Sequence, residues 1–154
     1  MDFYDWMLAL HLLAAFAVAA ALVIFTVLVV GSRRATTVAD VRTLFRLNHV
    51  AKRLVIGGAL AVLVLGVVLA IDADEYRLWD GWVIIGIVLW LLMVVVGSQS
   101  GRRHDELAAL AESGSASESE VLARLREPFA MRLHFAAVGL FVLLVLDMIF
   151  KPGA

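Results

Sequence analysis

WMLALHLLAAFAVAAALVIFTVLVV, residues 6–30, decides the architecture. These 25 residues carry no fixed charge, and His11 is their one titratable side chain. At about 1.5 Å per helical residue the run is long enough to cross a ~30 Å hydrocarbon layer. It stops at Gly31-Ser32-Arg33-Arg34, and comparable apolar runs follow at about 54–71, 81–98 and 133–150. The chain is 63% hydrophobic and 18% charged, against about half and a quarter in soluble domains. That excess excludes a soluble enzyme, a nucleic-acid binder and a disordered linker. With no cysteine there is no disulfide framework, thiolate zinc site, iron–sulfur cluster or covalently attached c-type haem.

The acidic start, Asp2 and Asp5, and the length of the first run predict a retained span, not a cleaved leader. Thr37 followed by Asp40 has capping-box spacing, and the apolar pattern after it predicts one long helix entering the membrane near Leu54. His104–Ala111 and Glu118–Arg126 read as two short helices around the break Ser113-Gly114-Ser115-Ala116-Ser117. Leu122, Leu125 and Phe129 are then placed to rest on the membrane surface, and Pro128 ends the second helix before the fourth span.

Charge orients the spans. Eleven of the 13 basic residues fall in the loops 31–53 and 99–132, leaving Arg77 and Lys151 on the other side. By the positive-inside rule those loops are cytoplasmic and both termini lie outside, where Tyr4, Trp6, Tyr76, Trp79 and Trp82 make an aromatic belt. The expected fold is all-α: a single integral-membrane domain, residues 1–154, built as an antiparallel four-helix bundle in the inner membrane of the cell. Small residues at Gly57, Gly58, Ala61, Gly66, Gly86 and Gly97 permit close helix packing.

A polar residue inside a span is a functional candidate because leaving it in lipid is costly. His11 lies about 7–8 Å, and Asp147 about 5 Å, from the outer ends of their spans. The matched depths suit an Asp147–His11 pair at a cofactor, or an interhelical clamp worth about 0.6–2 kcal/mol. His49, His104 and His134 gather at the cytoplasmic boundary, where they suit a metal or a haem near the inner surface, or ordinary interfacial positions. Trp82, Gly86, Trp90, Met93 and Gly97 share one helical face, which reads as packing before it reads as a cofactor stack. There is no phosphate-binding glycine loop, nucleophile elbow or His-Glu-x-x-His sequence.

Ala9-Leu10-His11-Leu12-Leu13-Ala14, Lys52-Arg53-Leu54 and Phe150-Lys151-Pro152-Gly153 resemble bacterial four-helix membrane proteins of unknown function related to the membrane domain of copper-resistance protein D. More distantly the layout is similar to HemJ-type protoporphyrinogen oxidases. That resemblance implies b-type haem with His11 as its ligand, and matches Lys151-Pro152 to a terminal Lys-Pro. The chain departs from the HemJ pattern at Trp82-Val83-Ile84-Ile85, where a lysine is expected early in the third span. The leading expectation is therefore a haem- or metal-binding membrane protein. The alternative is a non-catalytic accessory subunit that docks a membrane-protein partner or a second copy through its cytoplasmic loops, with no nucleic-acid partner in either case.

Overall fold

The computed structural model describes residues 2–72 and 77–152, with the side chains of residues 45–47 and 49 left aside. Tyr76 of the expected aromatic belt therefore lies outside the described residues. The described chain is all-helical: α1 Phe3–Ser32, α2 Val38–Asp72, α3 Gly81–Ser113, α4 Glu118–Leu125 and α5 Pro128–Phe150. Four stretches are long and apolar enough to span a membrane: Phe3–Ser32, Val50–Asp72, Gly81–Ser113 and Glu118–Phe150. Leu13, Phe16, Ile56 and Ile149 leave more than half of their surface uncovered, which suits helices whose outer faces meet lipid.

α1 packs chiefly on α2, and α3 chiefly on α5, while α2 and α3 join the two pairs. The first pair closes where Gly58 meets α1. A Cβ on Gly58 would sit 2.9 Å from Val18 Cγ2, 3.2 Å from the Ala14 carbonyl oxygen and 3.3 Å from the Val18 nitrogen. Around this approach, Val18, Leu22 and Ala59 form a buried cluster. α2 and α3 are tied by the Trp90 indole, whose Nε1–H donates to the Ala59 carbonyl at 3.0 Å. That bond assigns Trp90 a structural role on the inward face that Trp82 and Met93 also occupy.

The caps follow the sequence. The Asp40 amide donates to Thr37 Oγ1 at 3.2 Å, and the Thr37 amide donates to Asp40 Oδ2 at 3.1 Å, which is the reciprocal pattern of a capping box. Hydrogen bonding from the Thr37 side chain, followed by the Thr37 and Thr36 backbones, holds the Asp40 carboxyl below its ordinary range, because donors favour the charged form. Its contribution to the cap is thus present above the unfolded-chain pKa and fades as pH falls through the lowered one. Acidification should raise amide exchange at Thr36 and Thr37, whose N–H groups the carboxylate accepts, only in that low-pH window. Asp40→Asn should remove this pH dependence, as hydrogen exchange across an acid titration would show.

Two expectations about the loops are corrected. His104–Ala111 is not a separate short helix, because α3 continues unbroken through Arg102 and Arg103 and stops at Ser113. Gln99 to Arg103 are polar yet helix-compatible, and the actual stop is Gly114, at φ 65°, where glycine adopts the left-handed cap without a Cβ clash. Leu125 does not lie on the membrane surface. It is buried with Ala35, Val41, Ala111 and Val121 in a small core between α4 and the extensions of α2 and α3, and Leu122 packs partly against it.

Arg42 reinforces that core by donating through Nη2 to the Ala111 carbonyl at 2.7 Å. Glu118 Oε1 accepts from the Val38 amide at 2.9 Å, linking α4 to the start of α2. Phe129 remains largely exposed, with the Arg103 guanidinium 4.5 Å from its ring centre. Pro128 occupies the first turn of α5, where its missing N–H costs nothing.

Candidate functional site

Two chambers lie between the helix pairs at different levels. The one nearer α4, termed inner, is a partly open cavity of about 330 Å³. Its walls are apolar, with Leu22, Phe25, Val55, Ala59, Met93 and Ala137, and polar groups collect at one end: Asn48, Lys52, Ser100, Arg102, Asp105, His104 and His134. Asn48, Ser100, His104 and His134 are all buried.

The hydrogen bonds fix which nitrogen of each imidazole bears the hydrogen in its neutral form. Thr26 Oγ1 donates its single hydrogen to the Leu22 carbonyl at 2.8 Å. It also lies 2.8 Å from His134 Nε2, so in that contact the hydroxyl accepts and His134 carries its proton on Nε2. Nδ1 of the neutral ring then holds the lone pair. On α3, His104 Nδ1 lies 2.8 Å from the Ser100 carbonyl oxygen, which only accepts, so the proton sits on Nδ1 and the lone pair on Nε2. A ring held in one orientation by a hydrogen bond to one of its nitrogens is a feature shared with metal-ligating histidines. Lys52 and Asp105 form an ion pair at the rim at 2.5 Å, each about half-exposed, so the pair contributes little stability.

Of the three inner histidines expected from the sequence, the structure brings His104 and His134 to one cavity. His49 belongs to α2, and its side chain lies outside the described residues. Among the described residues no group of three or more His, Cys, Asp or Glu side chains gathers as a metal site.

The other, farther from α4 and termed outer, is a half-open pocket of about 70 Å³ bordered by His11, Gly66, Trp82, Gly86, Leu144 and Met148, among others. His11 is pressed against Gly66, where an added Cβ would stand 3.1 Å from its Cε1. Asp147 is pressed against Gly86, where an added Cβ would stand 3.1 Å from Oδ2. His11 lines this pocket and Asp147 does not, so the structure does not join the two as a pair. Both Asp147 carboxyl oxygens and His11 Nδ1 are buried without a hydrogen-bond partner. At the end of α5, Lys151 takes a left-handed conformation, φ 42°, and its ammonium lies 5.4 Å from the Trp82 ring centre.

Sequence reasoning placed His104, His134, His11 and Asp147 among the candidates but missed how Thr26, Ser100 and Lys52 serve the inner cavity. No signal in the chain marks them, because their meeting depends on the rotation of each helix about its axis. No family model, curated protein or solved structure matches the chain.

Proposed function

We propose that this is a multi-pass protein of the inner membrane, an antiparallel bundle with both termini outside, that binds a cofactor in its inner cavity through His104 and His134. B-type haem is the best candidate. The orientation is supported by the basic residues of the two loops. The antiparallel arrangement is supported by paired contacts: Val18 with Gly58 and His11 with Gly66, and Ser100 with Ala130 and Gly86 with Asp147. In each helix pair one number rises as the other falls.

The observation that carries the cofactor reading is the 330 Å³ cavity lined by two buried, oriented imidazoles. Small-molecule sites occupy about 300–1,000 Å³, and the outer chamber beside His11 is far smaller at 70 Å³. A macrocycle does not fit the outer chamber as packed, so the ligand role implied for His11 is better suited to the inner pair. Haem is favoured over a bare transition metal because its iron brings four ligands of its own and asks for only one or two from the protein. A structural metal site asks for four. The apolar walls suit a porphyrin face, while Lys52 and Arg102 at the rim suit its carboxylate edge. When bound, haem would supply one-electron chemistry. The chain's own residues orient the ligand, with Ser100 and Thr26 fixing the two imidazole tautomers.

The accessory-subunit alternative calls for an uncommitted apolar face on the cytoplasmic loops. Val41, Ala111, Val121 and Leu125 instead face one another. An absorption spectrum and metal analysis of detergent-purified protein from haem-replete cells test the reading. A Soret band is expected, lost or strongly shifted in His104→Ala and His134→Ala and retained in His11→Ala. A colourless, metal-free wild-type protein, or a band abolished only by His11→Ala, would overturn it.

A further inference from the structure

The opening of the inner cavity changes in polarity along its length. The lining residues on α1 and α5, namely Leu22, Phe25, Val29, His134 and Ala137, are buried or half-buried. The exposed lining residues all belong to α2 and α3: Lys52 and Ile56 on the first, Val94, Ser98 and Arg102 on the second. The opening therefore lies between α2 and α3, and α1 and α5 form its floor. Ile56, 61% exposed, and Val94, 37% exposed, belong to the apolar runs of two spans. Lys52 and Asp105 lie beyond those runs, and their ion pair bridges α2 and α3 at the polar end.

Two glycines of α3, Gly97 and Gly101, also line the cavity, and helix packing does not explain them. An added Cβ would meet nothing within 4 Å at either position, whereas at Gly58 it would meet the α1 backbone. Glycine weakens a helix, and here no close approach of another helix offsets that. What the two glycines leave is room, one turn apart on one face of α3, in front of the buried Asn48, His104 and His134. An apolar lip at hydrocarbon depth admits what is dissolved in the bilayer. The cations at the other end suit an anionic group held at headgroup level.

We propose that the inner cavity is a lateral port, open to the bilayer between α2 and α3, for a carboxylate-bearing amphiphile that arrives dissolved in the membrane. The apolar body of the ligand passes Ile56 and Val94 and lies over Gly97 and Gly101. Its carboxylate stays at the polar end, where it meets Arg102 and competes with Asp105 for the Lys52 ammonium. Haem, with its two carboxylates, belongs to this class. The inference rests on the helices being membrane spans and not on the cofactor reading. A colourless protein leaves the port standing, and a cavity open only to water leaves haem binding standing.

The chain has no cysteine, so a nitroxide attached to Gly97→Cys reports on that position alone. Electron paramagnetic resonance of the full chain in phosphatidylcholine liposomes tests the port. Oxygen, which dissolves in hydrocarbon, should collide with the label on the order of tenfold more often than a hydrated nickel chelate, which hydrocarbon excludes. Nickel collisions as frequent as those of oxygen would mean a cavity open to water, and a label reached by neither reagent a closed one; either result overturns the port. Oleate is the amphiphile probe. It should lower the oxygen collisions saturably, methyl oleate should not, and Arg102→Gln should weaken the oleate effect severalfold. No effect of oleate, an equal effect of methyl oleate, or an effect unchanged in Arg102→Gln would overturn the ligand class. Should Gly97→Cys fail to fold, Gly101→Cys, where a Cβ again has open space, carries the label, and the same oleate outcomes decide.

Discussion

Gly58→Leu is expected to force α1 and α2 apart and to destabilise the bundle by on the order of 3 kcal/mol, the upper part of the range for overpacking a close contact. The reason is the identity of the neighbours. Two of the three atoms nearest an added Cβ belong to the α1 backbone, the Ala14 carbonyl oxygen at 3.2 Å and the Val18 nitrogen at 3.3 Å. A side-chain tip can rotate away, but a backbone atom moves only with its helix. Close approach of this kind is how membrane helices gain packing in a medium that offers no hydrophobic drive for association.

Gly57 supplies the control. A Cβ there meets nothing within 4 Å, so Gly57→Ala should be neutral or stabilising by up to about 1 kcal/mol through helix propensity. Denaturant or thermal unfolding in detergent measures both. Equal behaviour of the two variants would place α1 and α2 in some other contact.

The second large effect is expected at Val121. It is 1% exposed and sits in the core that α4 forms with the extensions of α2 and α3. Val121→Asp places a carboxylate among the apolar side chains of Ala35, Val41, Ala111 and Leu125. Burying an unpaired charge costs roughly 3 kcal/mol or more, so α4 should detach while the spans stay folded. Limited proteolysis should then cut within 114–127 far faster than in the wild type, with helix content nearly unchanged. A variant as protected as the wild type would show that α4 is held by contacts other than this core. The same experiment bears on the accessory-subunit alternative, since α4 would then present its apolar face for the first time.

Much of this fold is legible in the chain. Four apolar runs separated by charged loops specify four spans, because a backbone in lipid must satisfy its own hydrogen bonds and only a helix does so within one segment. Thr37 and Asp40 announce the start of α2 because a capping box is local, needing no knowledge of the rest of the molecule. Gly114 marks the end of α3 for the same reason. The misreading of His104–Ala111 as a separate helix came from treating polarity as a break. Polar residues that favour helix simply carry a span out of the bilayer as a rigid extension. Leu122 and Leu125 on a short amphipathic helix fit a membrane surface or a protein core equally well by sequence, and only the arrival of Val41 and Ala111 distinguishes them.

What the sequence determined by itself is the set of spans, their caps and the short roster of polar residues that lipid would not accept. Which of those residues meet was decided by tertiary structure alone. In a soluble helix an apolar stripe tells which face turns inward, but here both the lipid-facing and the core-facing sides are apolar. The rotation of each helix is therefore set by close contacts such as Gly58 on Val18 and Trp90 on Ala59. Those rotations place His104 and His134 at one cavity, and seat His11 against Gly66 and Asp147 against Gly86.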